Sequence, residues 1–440
     1  MIRFSFILLG AAFAWVAAAW AEPAPFSLTI AADRPDAMYH VGETVTFSIS
    51  VLRGGLPVPE GEVTWSLTKD GVPPVRQGVA AVKEGKATVT GQLDEPGFLQ
   101  CKAVFAAEGG KAAGIGAAAV DPLLLRPSLP VPDDFDAFWE GKKRELAAVP
   151  LNATMTPLPP PQPGIELFDV EAPAVGNMPM RGYYARPAHA APKSLPAIIT
   201  LEGAGVYNTR TEPWLLRMAK EGFLSLEVNA HGLPNGKDAA YYVGLEQGDL
   251  KDYPFFGRTS RETVYFLNMF LRDLRGVDFL ASQPEWNGKV LVANGGSQGG
   301  AQAIFVAAED RRVTYLSASV PAMCDHSGMV VGRVPGWPRL VPVGADGKPD
   351  AAVLEAARYF DSVNFASRVR VPACFAVAFI DQVAPPTSGY VAYDALPGKK
   401  EMLTSVSSPH KIEASVLEEM RRRILKQKDS QKESVPPGSP

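Results

Sequence analysis

The chain has 440 residues, of which 46% are hydrophobic and 20% charged, so it exceeds one ordinary domain and can bury a sizeable core. That balance excludes disorder of the whole chain. With 43 basic against 47 acidic residues, a formal charge of −4 and no long basic block, it lacks the footprint of a nucleic-acid-binding protein.

The N-terminus reads as a secretory signal. Arg3 supplies the positive start, residues 4–18 are almost unbroken apolar sequence, and Ala19-Trp20-Ala21 is a small-x-small cleavage pattern. Residues 1–21 are therefore expected to be removed, leaving Glu22 as the mature N-terminus. The apolar run is short for a membrane span, and no other segment approaches spanning length. The expected location is the periplasm or the cell exterior, with no stable membrane span. Cys101, Cys324 and Cys374 are too few for a disulfide scaffold. Each lies in an apolar stretch, as a buried thiol does. A Cys324–Cys374 bridge remains open.

Residues 26–31, 44–51, 62–68, 87–91 and 98–104 alternate apolar and polar side chains, the period of half-buried strands. Gly54-Gly55 and Glu95-Pro96-Gly97 mark turns between them. Residues 22–121 are accordingly expected to form a small immunoglobulin-like β-sandwich. It holds no cluster of His, Asp and Glu suited to a metal or to chemistry, so a binding or spacer role fits it better than catalysis.

Residues 122–132 are Pro-rich and read as a linker. Asp133-Asp134 then offers an N-cap for a helix over residues 135–146. Strand patterns at residues 180–186, 195–201, 223–229 and 290–293 alternate with helical ones at 214–221 and 261–282. Residues 133–426 are thus expected to form an α/β domain, a mainly parallel sheet with helices on both faces. A charged amphipathic helix at 412–425 comes last, followed by a polar tail over residues 427–440 that reads as disordered.

The most specific signal is Gly295-x-Ser297-x-Gly299, which follows a strand and runs into a helical stretch at residues 301–308. A nucleophile elbow needs that context. Its Ser sits on a strained strand-to-helix turn, small flanking residues let the chains approach, and the helix N-terminus favours developing negative charge. A Ser hydroxyl also needs a base, and the α/β-hydrolase order is Ser, acid, His. His40, His189 and His231 precede the elbow, and His326 follows it too closely for an acid-bearing strand to intervene. His410, in a Ser-Ser-Pro-His loop after the strand pattern at 400–406, is the expected base. Asp381, at the end of the apolar run 373–380, is the expected acid, with Asp325 and Asp394 as weaker alternatives. The backbone N–H of Gln298 and that of Ala204, in the Glu202-Gly203-Ala204-Gly205 loop, are the expected oxyanion donors. The loop can also be read as a plain Gly turn. No His-Glu-x-x-His, Cys cluster or phosphate-binding loop calls for a metal or organic cofactor.

These residues resemble the acetyl xylan esterase/cephalosporin-C deacetylase group of carbohydrate esterases, which have the α/β-hydrolase fold. The resemblance covers most of residues 125–412. It rests on Pro132-Asp-Asp-Phe-Asp-Ala-Phe-Trp139, Gly295-Gly-Ser-Gln-Gly-Gly300, Tyr359-Phe-Asp-Ser-Val-Asn-Phe-Ala366, Asp381 with Pro385-Pro-Thr387, and Pro409-His410. It implies the set Ser297, Asp381 and His410, with oxyanion donors at Gln298 and Ala204. The chain departs from the family at Glu202-Gly203-Ala204, where members often carry His-Gly-Tyr, so an aromatic side chain beside the acyl pocket is missing. Short members lack the N-terminal sandwich, and some form ring-like oligomers, which leaves a homo-oligomer open here.

The expected function is removal of acetyl groups from carbohydrates such as acetylated xylan or xylo-oligosaccharides. The alternatives are a peptidase or general short-chain esterase on the same residues, and a non-catalytic carbohydrate-binding protein.

Overall fold

In the computed structural model, which describes residues 25–429 apart from Asn177 and Glu212, the alternating first segment becomes nine strands. These are β1 (Phe26–Ala32), β2 (Met38–Tyr39), β3 (Val45–Arg53), β4 (Leu56–Pro57), β5 (Glu60–Lys69), β6 (Arg76–Lys83), β7 (Lys86–Gly91), β8 (Gly97–Ala107) and β9 (Gly110–Val120). They pair in the order β1-β3-β7-β6-β5-β8-β9-β2, with β4 beside β3. The β6–β7 pairing consists of Lys83↔Lys86 alone, so the sheet folds over at this hairpin. Val45, Phe47, Ile49 and Val51 of β3 then share a core with Val63 and Leu67 of β5 and Cys101 and Phe105 of β8. Period-two burial thus gives an all-β domain. The signal expected over residues 1–21 lies outside the described residues.

The segment expected as a linker is tightly docked. Ser128 Oγ donates to Asp325 Oδ1 at 2.6 Å, Arg333 Nη2 donates to the Arg126 carbonyl at 2.8 Å, and Leu125 is buried. The second domain opens with helix α1 (Phe135–Ala147), then strands β10 (Thr154–Leu158), β11 (Ile165–Ala172), β12 (Met180–Pro187) and β13 (Leu195–Leu201). Next come α2 (Trp214–Lys220), β14 (Leu224–Val228), α3 (Ala239–Gln247), α4 (Phe266–Ser282), β15 (Trp286–Gly296), α5 (Gln298–Glu309) and β16 (Tyr315–Ser319). The chain closes with α6 (Ala351–Arg358), α7 (Ser362–Ala366), β17 (Ala373–Ala378), α8 (Pro386–Ala395), β18 (Lys400–Ser405) and α9 (Ala414–Asp429).

The sheet order is β10-β11-β12-β14-β13-β15-β16-β17-β18. Every pair from β14 to β18 is parallel, and β10, β11 and β12 join in antiparallel fashion at one edge. Alternate residues of the central strands serve opposite faces. Leu291 and Ala293 pack with α4 and α5, and Phe375 and Val377 with α8, on one side, while Val292, Cys374 and Ala376 meet Met420 and Ile424 of α9 on the other. This is the α/β-hydrolase architecture, reached by burying both faces of a parallel sheet.

Several local expectations shift. The long helix starts at Phe266 rather than 261, because residues 257–265 close a turn in which Thr263 Oγ1 donates to the Gly257 carbonyl at 2.8 Å. Asp134 stands at the N-cap of α1, yet its carboxylate does not cap. It accepts instead from the Tyr359 hydroxyl and from Arg261 Nη1. Helix α9 runs on to Asp429, past the tail boundary expected at 427, and the tail from 430 lies outside the described residues. The Cys324–Cys374 bridge does not form. Cys324 belongs to the core on one face of the sheet and Cys374 to the core on the other, and all three thiols are free and buried. Burial pushes the Cys101 thiol to about 12 and the Cys374 thiol to about 11.

Two of the family-like motifs meet in the core. The indole of Trp139 donates to the Tyr359 carbonyl at 3.0 Å, and its ring lies 4.9 Å from Phe305 of α5 and 5.3 Å from Phe365. This cluster anchors the helix that leaves the elbow. Trp139→Ala is expected to destabilise the protein by about 3–5 kcal/mol, read as a fall in the denaturant midpoint.

Candidate active site

Strand β15 ends in Gly295-Gly296, and α5 begins at Gln298, so Ser297 alone makes the turn. It has φ 56° and ψ −124°, a strained conformation for a residue with a side chain. Its neighbours must be glycine. A Cβ on Gly295 would stand 2.1 Å from the Gly299 carbonyl oxygen, and one on Gly299 would stand 1.9 Å from that of Leu201. The turn is pinned by hydrogen bonds. Ser297 N donates to Ser319 O at 2.9 Å, and Ser297 O accepts from Gly300 N at 2.9 Å and Ala322 N at 3.0 Å.

His410 and Asp381 come from the loops that follow β18 and β17. His410 Nε2 lies 2.8 Å from Ser297 Oγ, and Nδ1 lies 2.6 Å from Asp381 Oδ2. Asp381 is fully buried, and its Oδ1 accepts from Val383 N at 2.8 Å and Ala384 N at 2.9 Å. With Oδ1 occupied, Oδ2 accepts the Nδ1 proton of His410, which leaves Nε2 with a lone pair facing the serine hydroxyl. The other candidates lie elsewhere. Asp325 pairs with Arg333 at 3.1 Å, and Asp394 sits in α8 beside Lys400, which donates to its carbonyl at 3.1 Å. His40 meets Asp121 at 2.8 Å on the surface of the all-β domain, and His326 is buried with neither ring nitrogen hydrogen-bonded.

The Glu202–Gly205 loop reaches the serine. A Cβ on Gly203 would stand 3.9 Å from that of Ser297. The backbone N–H groups of Gln298 and Ala204 find no acceptor among the described residues.

Three further side chains hold Gln298 and the Gly203–Gly205 backbone. Tyr253 donates its hydroxyl to Gln298 Oε1 at 2.6 Å. His231 sets Nε2 against the Gly205 carbonyl at 3.0 Å and Nδ1 against the Tyr265 hydroxyl at 2.7 Å. Burial lowers its pKa to about 4, so it is neutral, and Nε2–H donates to Gly205 while Nδ1 accepts from Tyr265. Tyr207 donates to the Gly203 carbonyl at 2.6 Å, and its ring covers Gly205. An aromatic ring therefore flanks the loop although position 204 is alanine. Sequence reasoning missed all three, because none belongs to a motif and the partners of His231 and Tyr253 lie 26 and 45 residues away. The one available signal was the richness of residues 253–265 in aromatic side chains.

Next to Gly203, Glu202 is buried, as is Glu227, which feels its charge, and Glu202 Oε1 accepts from Arg210 N at 3.0 Å. Burial pushes Glu202 up to about 7 and Glu227 well above the usual carboxylate range, so the pair keeps a proton at neutral pH. Among the described residues no group of three or more His, Cys, Asp or Glu is placed to hold a metal ion, and no helix is long and apolar enough to cross a membrane.

A family model for acetyl xylan esterase (AXE1) matches residues 124–426. The chain belongs to the acetyl xylan esterase family. As a member it is a carboxylic ester hydrolase. It is 28% identical over 379 residues to acetyl esterase Axe7A of Xylanibacter ruminicola, spanning 85% of this chain and 84% of that protein. The acetyl xylan esterase of Paenibacillus sp. R4 superposes with a TM-score of 0.59 at 25% identity, covering 69% of this chain and 97% of its own. Acetyl xylan esterase 1 of Thermoanaerobacterium sp. JW/SL YS485 gives a TM-score of 0.55 at 18% identity, with 69% and 97% covered.

Two expectations follow for this esterase. Tyr253→Phe keeps the ring but frees the Gln298 side chain, and is expected to lower kcat for an acetyl ester about tenfold, ~1.4 kcal/mol in the barrier, in steady-state assays. The Glu202/Glu227 pair has folded-state pKa values above those of the unfolded chain. Its stabilisation is complete below about pH 4.5 and is lost as pH rises through about 7. Glu227→Gln supplies a permanent donor to Glu202, so the fall in Tm between pH 5 and pH 8 is expected to become shallower in thermal melts.

Proposed function

We propose that this protein is a secreted enzyme that removes acetyl groups from acetylated xylan or xylo-oligosaccharides through an acyl-enzyme. The observation that carries the reading is the chain of short contacts from Ser297 through His410 to Asp381. Ser297 Oγ attacks the ester carbonyl and passes its proton to His410 Nε2, while Asp381 stabilises the imidazolium that results. The carbonyl oxygen, now negative, takes hydrogen bonds from the backbone N–H groups of Gln298 and Ala204. His410 returns the proton to the departing sugar alcohol. Water then enters, gives a proton to His410, and releases acetate from Ser297 by the same route.

The substrate rests on family membership and on the activities named for the similar proteins. Export rests on Arg3 and the apolar run after it, with Glu22 beginning the mature chain. The all-β domain, with β3 and β5 packed face to face, is read as an immunoglobulin-like sandwich.

The test is acetate release from acetylated xylan and xylo-oligosaccharides. Wild type should turn both over, and Ser297→Ala should lose roughly 10⁴-fold or more of kcat while its thermal melt is unchanged. A Ser297→Ala enzyme of full activity would sink the assignment, and rapid peptide cleavage without acetate release would move the substrate to another class.

A further inference from the structure

The turn that carries Asp381 is gripped from outside its own domain. Two residues before Asp381, the ring of Phe379 meets Phe98 of β8 edge-on, with centroids 5.0 Å apart. Phe98 is fully buried and also lies 5.7 Å from Tyr390 of α8. One residue after Asp381, Gln382 accepts from Lys102 Nζ at 3.1 Å and donates to Gln100 Oε1 at 3.2 Å. At the start of α8, Thr387 donates to Asp70 Oδ1, which also accepts from Phe98 N at 3.0 Å.

Phe98, Gln100 and Lys102 are alternate residues of one strand, so they share a face. Leu99, Cys101 and Ala103, on the opposite face, fill the core of the all-β domain. Strand β8 therefore packs its own domain with one face and the acid turn with the other. The family match begins at residue 124, so β8 lies outside it.

We propose that the N-terminal domain is a positioning element of the active site, with Gln100 and Lys102 acting through Gln382 to hold Asp381 in line with His410. The proposal rests on the reading of Asp381 as the group that orients the imidazole. Asp381 accepts two hydrogen bonds within its own turn, from Val383 N and Ala384 N, and meets His410 with its other oxygen. A shift of that turn moves the His410 ring away from Ser297, and small displacements of this kind are costly in rate. Gln100 and Lys102 touch no reacting atom, and their effect should fall on kcat rather than on KM.

The experiment uses the full mature chain with Gln100→Ala/Lys102→Ala, Gln382→Ala, Gln382→Glu and Asp381→Asn, assayed on an acetyl ester. The first two variants are expected to lose roughly tenfold in kcat with KM within about twofold, and to shift or broaden the low-field proton resonance of His410 Nδ1–H. Gln382→Glu should recover most of the loss, since Lys102 can pair with the carboxylate and Gln100 can turn its amide to donate. Gln382 is exposed, so its variants should fold even if the double variant does not. Wild-type kcat and an unchanged low-field resonance in Gln382→Ala would overturn the proposal and leave the contact as adhesion between domains. Wild-type kcat in Asp381→Asn would instead remove the reading of Asp381 itself.

Discussion

Ser297 sits at φ 56° and ψ −124°, where a side chain is tolerated only if the surroundings impose it. The imposition comes from β16 and the loop beyond it, through Ser319 O and Ala322 N, and from glycines that let the carbonyls of Gly299 and Leu201 pass within what would be a Cβ radius. The parallel order β13-β15-β16 brings the ends of these strands to one edge. The same edge receives the loops after β17 and β18, and with them Asp381 and His410. Strand-end convergence, a property of the sheet, is thus what makes a hydroxyl, an imidazole and a carboxylate neighbours.

Buried carboxylates near this edge are handled in two ways. Asp381 has a hydrogen-bond donor for each of its oxygens, two backbone amides on one and an imidazole on the other, so burial leaves neither oxygen unpartnered. Glu202 and Glu227 share a single backbone donor, from Arg210, and their burial outweighs the pull of the Arg210 charge, so a proton is retained. The donors around each carboxylate are what separate the two cases. The Glu202 arrangement stands where the family often has His, and it ties the loop to Arg210 instead.

Much of this was legible in the sequence, and the limits were physical ones. The elbow could be read because close chain approach demands glycine at fixed offsets from the serine. That Asp381 and His410 meet beside Ser297 could be read because chain order and strand ends limit which loops converge there. The His231–Gly205 and Tyr253–Gln298 contacts could not, since each joins segments separated by 26 and 45 residues with no periodic pattern. The start of the long helix was misplaced because Arg261 serves Asp134, and Thr263 closes a turn instead of a helical one. Cys324 and Cys374 both sit in apolar sequence, and only the parity of β17 reveals that they occupy different faces of the sheet.

Strand β8 carries a related lesson for how such a protein can change. Its alternation reads as that of any half-buried strand, yet neither face is left to solvent along residues 97–101. A one-residue insertion or deletion ahead of Phe98 would exchange the two faces, sending Leu99 and Cys101 toward the hydrolase and Phe98 and Gln100 into the neighbouring core. Length variation that a surface strand absorbs is closed to this one. Grafting a different all-β module onto the same hydrolase would have to reproduce the phase of this strand as well as its fold.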